Sequence, residues 1–379
     1  MISRRGRGHP TRSERDGIRF DFVPVLPGRL WDAAGNARHA LLRRTQFFAR
    51  PYYRAEYVAQ CIRRLRAFNP DVIHIHNFVN HLPAFRRSFP DAVLVIHMHC
   101  DWLVELDREE TARSLGAADI VVGCSDHVAQ SARLRFPELG LRFANLPNGV
   151  APAPGRASGP GANETVITVG RVSPEKGLHV LLEAWAQVHA AHPGAELQIV
   201  GPVAVCPREL LVDLSTDPDV RALSRFYPGK GRAHRPYGEV LRAMVPEELT
   251  ATVRFVGPEP HERVLLRFQE AAVLVSPSLS EAFGMSLIEA LAAGTPVVAS
   301  RVGGMTEVVE KTGGGILVEK ADPAGLAAAI IRLLEDPGLR ERLGGEGRAR
   351  VPGLYGWDSV AATAEALYTE SSTARRVRG

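Results

Sequence analysis

The sequence VGRVSPEKG at 169–177 places two cations near the end of an apolar run. Gly170 and Arg171 close that run, and Lys176 follows within a short turn segment that starts at Ser173-Pro174. A strand ending at Gly170 and a helical turn beginning near Ser173 would bring both cations to the positive end of a helix. Such a site suits a diphosphate, because Arg and Lys form charge-assisted hydrogen bonds with phosphate oxygens. Either residue alone would more often simply face water.

The sequence SLSEAFGMSLIEALAAGTPVVAS at 278–300 carries two carboxylates at a fixed spacing. Glu281 precedes Gly284, which favours a turn into a helix, and Glu289 lies eight residues after Glu281. One glutamate would then lie on a loop and the other about a turn and a half inside the helix. A carboxylate accepts hydrogen bonds from vicinal sugar hydroxyls through both oxygens. The alternative is that Glu281 complements the helix dipole and Glu289 is an ordinary helix-surface residue.

The elements that must position these clusters follow an alternating pattern. Short Val/Ile-rich runs alternate with helical periodicity, which predicts parallel sheets covered by helices on both faces. The predicted strands are 17–25, 71–75, 92–96, 119–122, 142–146, 165–169, 196–200, 252–256, 273–275, 296–299 and 315–318. We therefore expect an α/β protein of two doubly wound, Rossmann-like domains, with the ligand at the carboxyl ends of the strands.

The predicted domain boundaries follow composition. They are a basic, disordered tail (1–16), an N-terminal domain (17–150), a Pro/Gly-rich linker (151–163), a C-terminal domain (164–354) and a final helix crossing back to the first domain (355–379). The segment 202–249 is too long for an ordinary connection and predicts a mobile flap or surface insertion.

Charge is distributed unevenly along the chain. Residues 1–70 contain fifteen arginines and five carboxylates, a net of +10, so the rest carries −6 of the total of +4. A basic face with interleaved aromatics suits an anionic membrane or an acidic acceptor, and a solvated helical surface is an equal alternative. No nucleic-acid-binding motif accompanies the charge, so we expect no nucleic-acid partner.

The sequence contains neither a signal peptide nor an apolar run long enough to span a bilayer. Its four cysteines have no CxxC or disulfide-type spacing, which favours a reducing compartment. We expect a cytoplasmic protein, with peripheral binding at the inner membrane face as an open alternative.

Two short patterns suggest metal binding at first sight. The HxH pairs in DVIHIHNF and VLVIHMHCDW, with Cys100 and Asp101, contain zinc-ligand residue types, but no spacing matches a known zinc signature. Asp217-Pro218-Asp219 is a DxD string without a preceding strand and predicts a turn or helix cap. We expect no metal site and no cofactor.

EAFGMSLIE forms an E-x7-E pattern, and ALAAGTPVVASRVGGMTEVV follows it. Together with GRVSPEKG and LPNGV at 146–150, these residues resemble the family 4 retaining glycosyltransferases. The resemblance covers about residues 69–368. It implies a GT-B fold, in which two Rossmann-like domains face each other across a cleft, and transfer of a sugar from a nucleotide-diphosphate-sugar donor.

The resemblance also implies roles for individual residues. Gly170, Arg171 and Lys176 would hold the donor diphosphate, Glu281 the hydroxyls of the transferred sugar, and Glu289 those of the ribose. Backbone N–H groups of Phe283, Gly284 and Met285 would contact the sugar or phosphate, with Leu287 near the nucleoside and the loop GPEPHE near the base. A histidine after an N-domain strand would face the donor sugar: His99 first, His97 second, while His76 would be structural or on the acceptor side.

The predicted function is metal-independent, retaining sugar transfer to a glycan, lipid or small-molecule acceptor. Family members usually open with a strand and a Gly-Gly loop, and neither is evident before DGIRFDFVPV. A degenerate sugar-nucleotide-binding protein without transferase activity is therefore the alternative. Epimerase chemistry on a UDP sugar is a third possibility.

Overall fold

The computed structural model describes residues 1–6, 8, 10–25, 49, 53–140, 142–153, 164–228 and 235–378, with side-chain environments to residue 373. Most of the predicted linker and the loop around Lys230 lie outside the described residues. Internal contacts divide the chain into two units. The first is Met1–Val122, Ala129–Ala144 and Ala366–Gly379; the second is Gly123–Val128 and Asn145–Glu365.

A three-stranded sheet opens the first unit. Strands β1 (Ile2–Arg4), β2 (Arg12–Arg15) and β3 (Ile18–Val23) are ordered β1-β3-β2, with β1 parallel and β2 antiparallel to β3. The prediction of a disordered tail over 1–16 is therefore wrong, and a parallel strand does precede β3.

The physical reason lies in a buried carboxylate. Asp21 is 5% exposed, and three guanidinium groups surround it: Arg12 at 3.0 Å, Arg19 at 2.8 Å and Arg64 at 3.2 Å. These arginines compensate a charge that would otherwise be costly to bury. An arginine-rich composition alone could not show that partner.

A four-stranded sheet forms most of the rest of the first unit, and the last residues of two of its strands belong to the second unit. Its strands are β4 (Val72–His76), β5 (Val93–Met98), β6 (Ile120–Gly123) and β7 (Arg142–Asn145), in the order β4-β5-β6-β7. The accompanying helices are α1 (Ala55–Arg66), α2 (Leu82–Ser88), α3 (Trp102–Glu105), α4 (Arg108–Leu115) and α5 (Asp126–Arg135). Every residue of β5 and β6 is buried, which explains their continuous apolar runs.

The second unit contains one six-stranded parallel sheet. Its strands are β8 (Thr165–Val169), β9 (Glu196–Val200), β10 (Val253–Gly257), β11 (Val273–Ser276), β12 (Val297–Ser300) and β13 (Gly315–Val318). The order is β10-β9-β8-β11-β12-β13, so the chain runs outward in one direction from β8 and in the other from β11. Ligands of such sheets bind where the order reverses, here between the carboxyl ends of β8 and β11.

Helices follow the strands of this sheet in turn. They are α6 (Leu178–Ala191), α7 (Pro218–Ala222), α8 (Tyr237–Met244), α9 (His261–Glu270), α10 (Met285–Ala292), α11 (Gly303–Thr312), α12 (Pro323–Glu335), α13 (Pro337–Tyr355) and α14 (Trp357–Arg378). Apolar faces of α6 and α12 pack on the sheet around Trp185, which is fully buried. Across both units, each of the eleven β runs predicted from the sequence coincides with a strand to within two residues.

The long connection between β9 and β10 is anchored rather than loose over its described part. Val220, Leu223 and Tyr227 pack with Leu279 in a small apolar cluster. Lys320 Nζ also lies 2.9 Å from Asp219 and contacts Asp217. The segment is thus a surface insertion held at two places, to the loops that follow β11 and β13.

The α14 helix contributes to both units, since its residues from Ala366 onward group with the first. Tyr368 contacts His74 there, and Arg142 pairs with Glu370. None of the described helices is long and apolar enough to cross a membrane. The four cysteines are all thiols.

Candidate active site

The predicted cation cluster and the first glutamate meet at the reversal point of the six-stranded sheet. Arg171 follows β8, and Glu281 lies on the loop that follows the neighbouring strand β11. Both line one pocket together with Lys176. The other lining residues are Thr168, Val169, Gly170, Leu178, Ile199, Val200, Ser276, Pro277, Ser278 and Ser286. Tertiary structure therefore unites residues that are more than a hundred positions apart in sequence.

The two loops touch at Gly177. Its φ is +66°, and a Cβ added there would lie 1.9 Å from the carbonyl oxygen of Pro277. Leu279 N also donates a 2.8 Å hydrogen bond to the carbonyl oxygen of Glu175. Only glycine permits both this backbone conformation and this close approach. The contact fixes the distance between the Lys176 turn and the Glu281 loop.

Lys176 and Glu281 form a direct ion pair. Lys176 Nζ donates to Glu281 Oε2 at 2.5 Å, and the two side chains are 23% and 20% exposed. Partial burial strengthens the attraction, because water screens the charges less. The pocket thus holds a cation whose partner is a carboxylate.

Arg171 is held by a residue that the sequence analysis did not single out. Its guanidinium donates to Glu175 Oε1 at 2.9 Å, and Glu175 is only 3% exposed. The other oxygen of Glu175 accepts from the Ser173 hydroxyl, which in turn accepts from Cys206 N at 3.0 Å. The sequence contained a signal for this pair. Glu175 lies between Arg171 and Lys176, and an acidic residue between two cations can pair with either.

Glu289 does not line this pocket within the described part of the chain. It lies on α10 with 15% of its side chain exposed, and His261 Nε2 is 3.0 Å from its Oε1. His261 begins α9 and belongs to GPEPHE (257–262), the segment that the family resemblance places near the base. Three of the four predicted charged groups therefore share a pocket, and the fourth pairs with a histidine of the GPEPHE segment.

The start of α10 contains the residues whose backbone N–H groups the resemblance assigns to the donor. Gly284 precedes the helix with a φ of 105°, and Met285 is 38% exposed. The side chains of Phe283 and Leu287 are buried, with Phe283 edge-on to Tyr355 at 5.6 Å between ring centroids. Full burial of Leu287 leaves its side chain no surface for a nucleoside, so that role stays a prediction without structural support.

The predicted histidines form one cluster in the first unit. In the β4–β5 register His76 pairs with His97, and His74 and His76 stack with ring centroids 4.7 Å apart. His99, just after β5, contacts His76 Nδ1 through Nε2 at 2.9 Å, and its backbone N donates to Asn77 Oδ1 at 2.8 Å. Burial, followed by the charges of His76 and His99, lowers the pKa of His74 to about 3. The ring of His74 is therefore neutral near pH 7.

Glu105 is a second residue that the sequence analysis missed. It ends α3, a few residues beyond His99, and burial followed by the charge of Asp101 raises its pKa to about 7. A carboxyl group with this pKa can hold or release a proton near neutral pH. Asp101 and Glu105 are four residues apart, the spacing that puts two carboxylates on one helix face.

The DxD string has the structural role expected of it. Asp217 caps α7 by accepting from Asp219 N at 2.9 Å, and both carboxylates pair with Lys320. The three lysines within the described residues are all in ion pairs, since Lys311 lies 2.6 Å from Asp126.

Comparison with known proteins identifies the class to which this fold and site belong. The model of the glycosyl transferases group 1 matches residues 158–350, and the model of glycosyltransferase family 4 matches residues 13–153. The chain belongs to the family 4 glycosyltransferases. Its fold is GT-B, and it is a glycosyltransferase.

Curated relatives cover most of the chain. Glycogen synthase of Mycobacterium tuberculosis is 29% identical over 326 residues, 82% of this chain and 71% of that protein. D-inositol 3-phosphate glycosyltransferase of Streptomyces bingchenggensis is 31% identical over 337 residues, 81% of this chain and 68% of that protein.

Solved structures share the fold at lower identity. Sucrose-phosphate synthase from Thermosynechococcus elongatus aligns over 99% of this chain and 89% of its own, with a TM-score of 0.72 and 24% identity. Anabaena HepE in complex with UDP-glucose aligns over 93% of this chain and 86% of its own, with a TM-score of 0.64 and 20% identity.

Proposed function

We propose that this enzyme transfers a sugar from a nucleotide-diphosphate-sugar to an acceptor hydroxyl, with retention of anomeric configuration and without a metal ion or other cofactor. One observation carries the proposal: Arg171, Lys176 and Glu281 line a single pocket at the reversal point of a parallel sheet. That position is where nucleotide ligands bind in such sheets.

The charges of the pocket suit the chemistry of glycosyl transfer. Positive charge develops on the sugar while negative charge grows on the departing diphosphate. Lys176 and Arg171 would stabilise the diphosphate, replacing the divalent ion of metal-dependent enzymes. As Lys176 turns from Glu281 towards phosphate, that carboxylate is released to accept bonds from the sugar hydroxyls.

The nucleoside end of the donor would lie at the His261–Glu289 pair. His261 contacts Oε1 of Glu289, so Oε2 is the oxygen that we assign to the ribose hydroxyls. The backbone N–H groups of Phe283, Gly284 and Met285 would bind sugar or phosphate oxygens. Because HepE was crystallised with UDP-glucose, a UDP-hexose is the first donor to test.

The acceptor side is assigned to the first unit. His99 would face the donor sugar, and Glu105 offers a carboxyl group of pKa about 7 for an acceptor hydroxyl. Exposed arginines on β1 to β3 and α1 support contact with an anionic membrane and hence a lipid or glycan acceptor. Such contact would suit a cytoplasmic enzyme at the inner membrane face.

The test begins with binding. Melting temperatures would be recorded against UDP-, GDP- and ADP-sugars, because a ligand that binds only the folded state raises the melting temperature. The stabilising donor then enters an acceptor screen read by mass spectrometry, with EDTA in a parallel series. NMR of the product would give the anomeric configuration.

Each outcome has a distinct meaning. Turnover in EDTA with a retained anomer supports the whole proposal, while an inverted anomer or dependence on Mn²⁺ refutes that part of it. Donor binding without transfer or hydrolysis would favour a sugar-nucleotide-binding protein. No binding by any sugar nucleotide would overturn the assignment of the pocket.

A further inference from the structure

The histidine cluster of the first unit contains more nitrogen donors than the proposed transfer uses. His74, His76 and His97 each offer one ligand atom, and these three atoms lie within 4.8 Å of one another. They come from two adjacent parallel strands, with His76 and His97 directly opposite in register. Sequence spacing could not show that the two histidine pairs meet, because the contact depends on β4 and β5 being neighbouring strands.

One of these donors has an unusual environment. His74 Nε2 is buried, and no hydrogen-bond partner for it occurs among the described residues. A buried polar atom of this kind normally has a partner, so an unsatisfied one indicates a group that completes it. His74 Nδ1 is already engaged by the Tyr368 hydroxyl at 2.5 Å.

Two of the three rings have an outer partner on one nitrogen, as metal-binding histidines usually do. A histidine that binds a metal through one nitrogen usually has its other nitrogen held by an outer partner. Tyr368 holds Nδ1 of His74, and His99 holds Nδ1 of His76. Because a tyrosine hydroxyl can donate or accept, Tyr368 can follow the change of tautomer that metal binding requires.

We propose that His74, His76 and His97 form a binding site for a transition-metal ion of the zinc class, separate from the donor pocket. Imidazole nitrogen is a preferred ligand for Zn²⁺, Ni²⁺ and Cu²⁺. A tetrahedral zinc site with Zn–N bonds of 2.0–2.1 Å needs donors about 3.4 Å apart. The three rings therefore close by roughly 1 Å when they bind an ion. Because His76 is exposed to solvent, water can supply the fourth ligand of a tetrahedral ion.

Occupancy of the site would act on the transfer reaction through His76. An ion fixes the His76 ring, and that ring contacts His99 at 2.9 Å. Restricting His99 would slow transfer if His99 faces the donor sugar, and this consequence rests on the proposed function. Metal binding itself does not.

The experiment titrates Co²⁺ into the EDTA-treated, dialysed full-length protein without any tag. Visible absorption between about 500 and 650 nm reports tetrahedral coordination, and competition with Zn²⁺ gives the zinc affinity by loss of that signal. We expect one ion per chain. His76→Ala, at the exposed edge of the cluster, should weaken binding at least tenfold without disturbing the core.

Two further variants keep the result interpretable. Tyr368→Phe removes an outer partner without removing a ligand, and we expect a tenfold or greater loss of affinity. His189→Ala removes a histidine on α6 of the second unit and should leave the affinity unchanged. Circular dichroism would establish that each variant is folded.

The proposal fails if folded protein shows no saturable Co²⁺ signal, or if the affinity is the same in His76→Ala as in the parent chain. Loss of binding in His189→Ala would also overturn it. Zinc binding without an effect on transfer would leave the metal site in place and refute only its link to His99. Absence of transfer under every condition would count against the proposed function and not against the site.

Discussion

The donor pocket and the histidine cluster use opposite electrostatic arrangements. In the pocket, ionised groups are paired: Lys176 with Glu281, and Arg171 with Glu175. In the cluster, burial disfavours protonation, and the pKa of His74 falls to about 3. Charges are thus balanced by pairing in the first site, whereas burial lowers the pKa of His74 and His76 in the second.

This difference follows from what surrounds each site. The pocket opens between two loops at the end of a sheet, so charged groups stay partly hydrated and can change partners. The histidines lie along the sheet, where His97 is 5% exposed and burial lowers the pKa of both His74 and His76. Charged ligands therefore suit the first site and neutral-nitrogen ligation the second.

The largest expected effect comes from separating the two loops of the pocket. Gly177→Ala combines a backbone φ of +66° with a Cβ 1.9 Å from the Pro277 oxygen. Strain and overpacking together should cost roughly 2–5 kcal/mol of stability and weaken donor binding. Urea unfolding and donor titration would measure both.

Gly345→Ala is the matched control. A Cβ there meets nothing within 4 Å on an exposed part of α13, and alanine favours a helix. This variant should be neutral or slightly stabilised. If Gly177→Ala behaved in the same way, the two loops would not be in the contact described.

The next effect tests whether the charge of the pocket is used in transfer. Lys176→Ala removes one charge-assisted bond of about 1.5–3 kcal/mol, so kcat/KM should fall by roughly ten- to a few-hundred-fold. Lys311, on α11, is paired with Asp126 of α5. Lys311→Ala should change kcat/KM less than about twofold. If both substitutions changed kcat/KM equally, Lys176 would have no specific role in transfer.

Acidification should show that the buried histidines are neutral. The pKa of His74 is about 3 and that of His81 about 4, both lowered first by burial, against an unfolded value of 6.5. Their contribution to the free energy of unfolding is complete above pH 6.5. It is lost as the pH falls towards these pKa values, because only the unfolded chain takes up the proton. Each histidine can cost up to about 1.4 kcal/mol per pH unit.

Urea unfolding at pH 7.5, 6.0 and 5.0 in EDTA would measure this loss. His81→Gln should make the decline shallower by one histidine, and His179→Gln should do the same in the second unit, where burial likewise lowers the pKa of His179 to about 4. A decline of unchanged steepness in both variants would show that these rings are not held neutral.

The smallest effect concerns the insertion. Lys320→Ala breaks its pairs with Asp217 and Asp219, which are partly exposed, so stability should fall by only about 0–1 kcal/mol. Neither this change nor Asp219→Asn should create or remove a response of transfer to Mn²⁺. If transfer responded to Mn²⁺ and that response disappeared in Asp219→Asn, the DxD string would take part in binding a metal ion used in transfer.

Much of the architecture was predictable from local pattern. Strand positions follow from runs of buried Val and Ile, and Arg171 and Glu281 both lie on loops that follow such runs, two residues after β8 and five residues after β11. Adjacent parallel strands end at the same edge of a sheet, so residues at strand ends converge whenever the strands are neighbours. The cap formed by Asp217 was predictable for a different local reason, because an Asp directly before a helix accepts a hydrogen bond from a free backbone N–H.

The partners of the charged groups were decided by tertiary structure alone. Glu289 meets His261, Glu175 holds Arg171, and Asp21 pairs with Arg12 of a strand where the sequence predicted a disordered tail. Such pairs depend on which strands and helices become neighbours, and local sequence does not encode that. The amino-acid sequence thus determined where the cations, carboxylates and histidines occur along the elements. Only the packing of those elements decided which of them neutralise one another, because electrostatic energy depends on distance in space and not on separation along the chain.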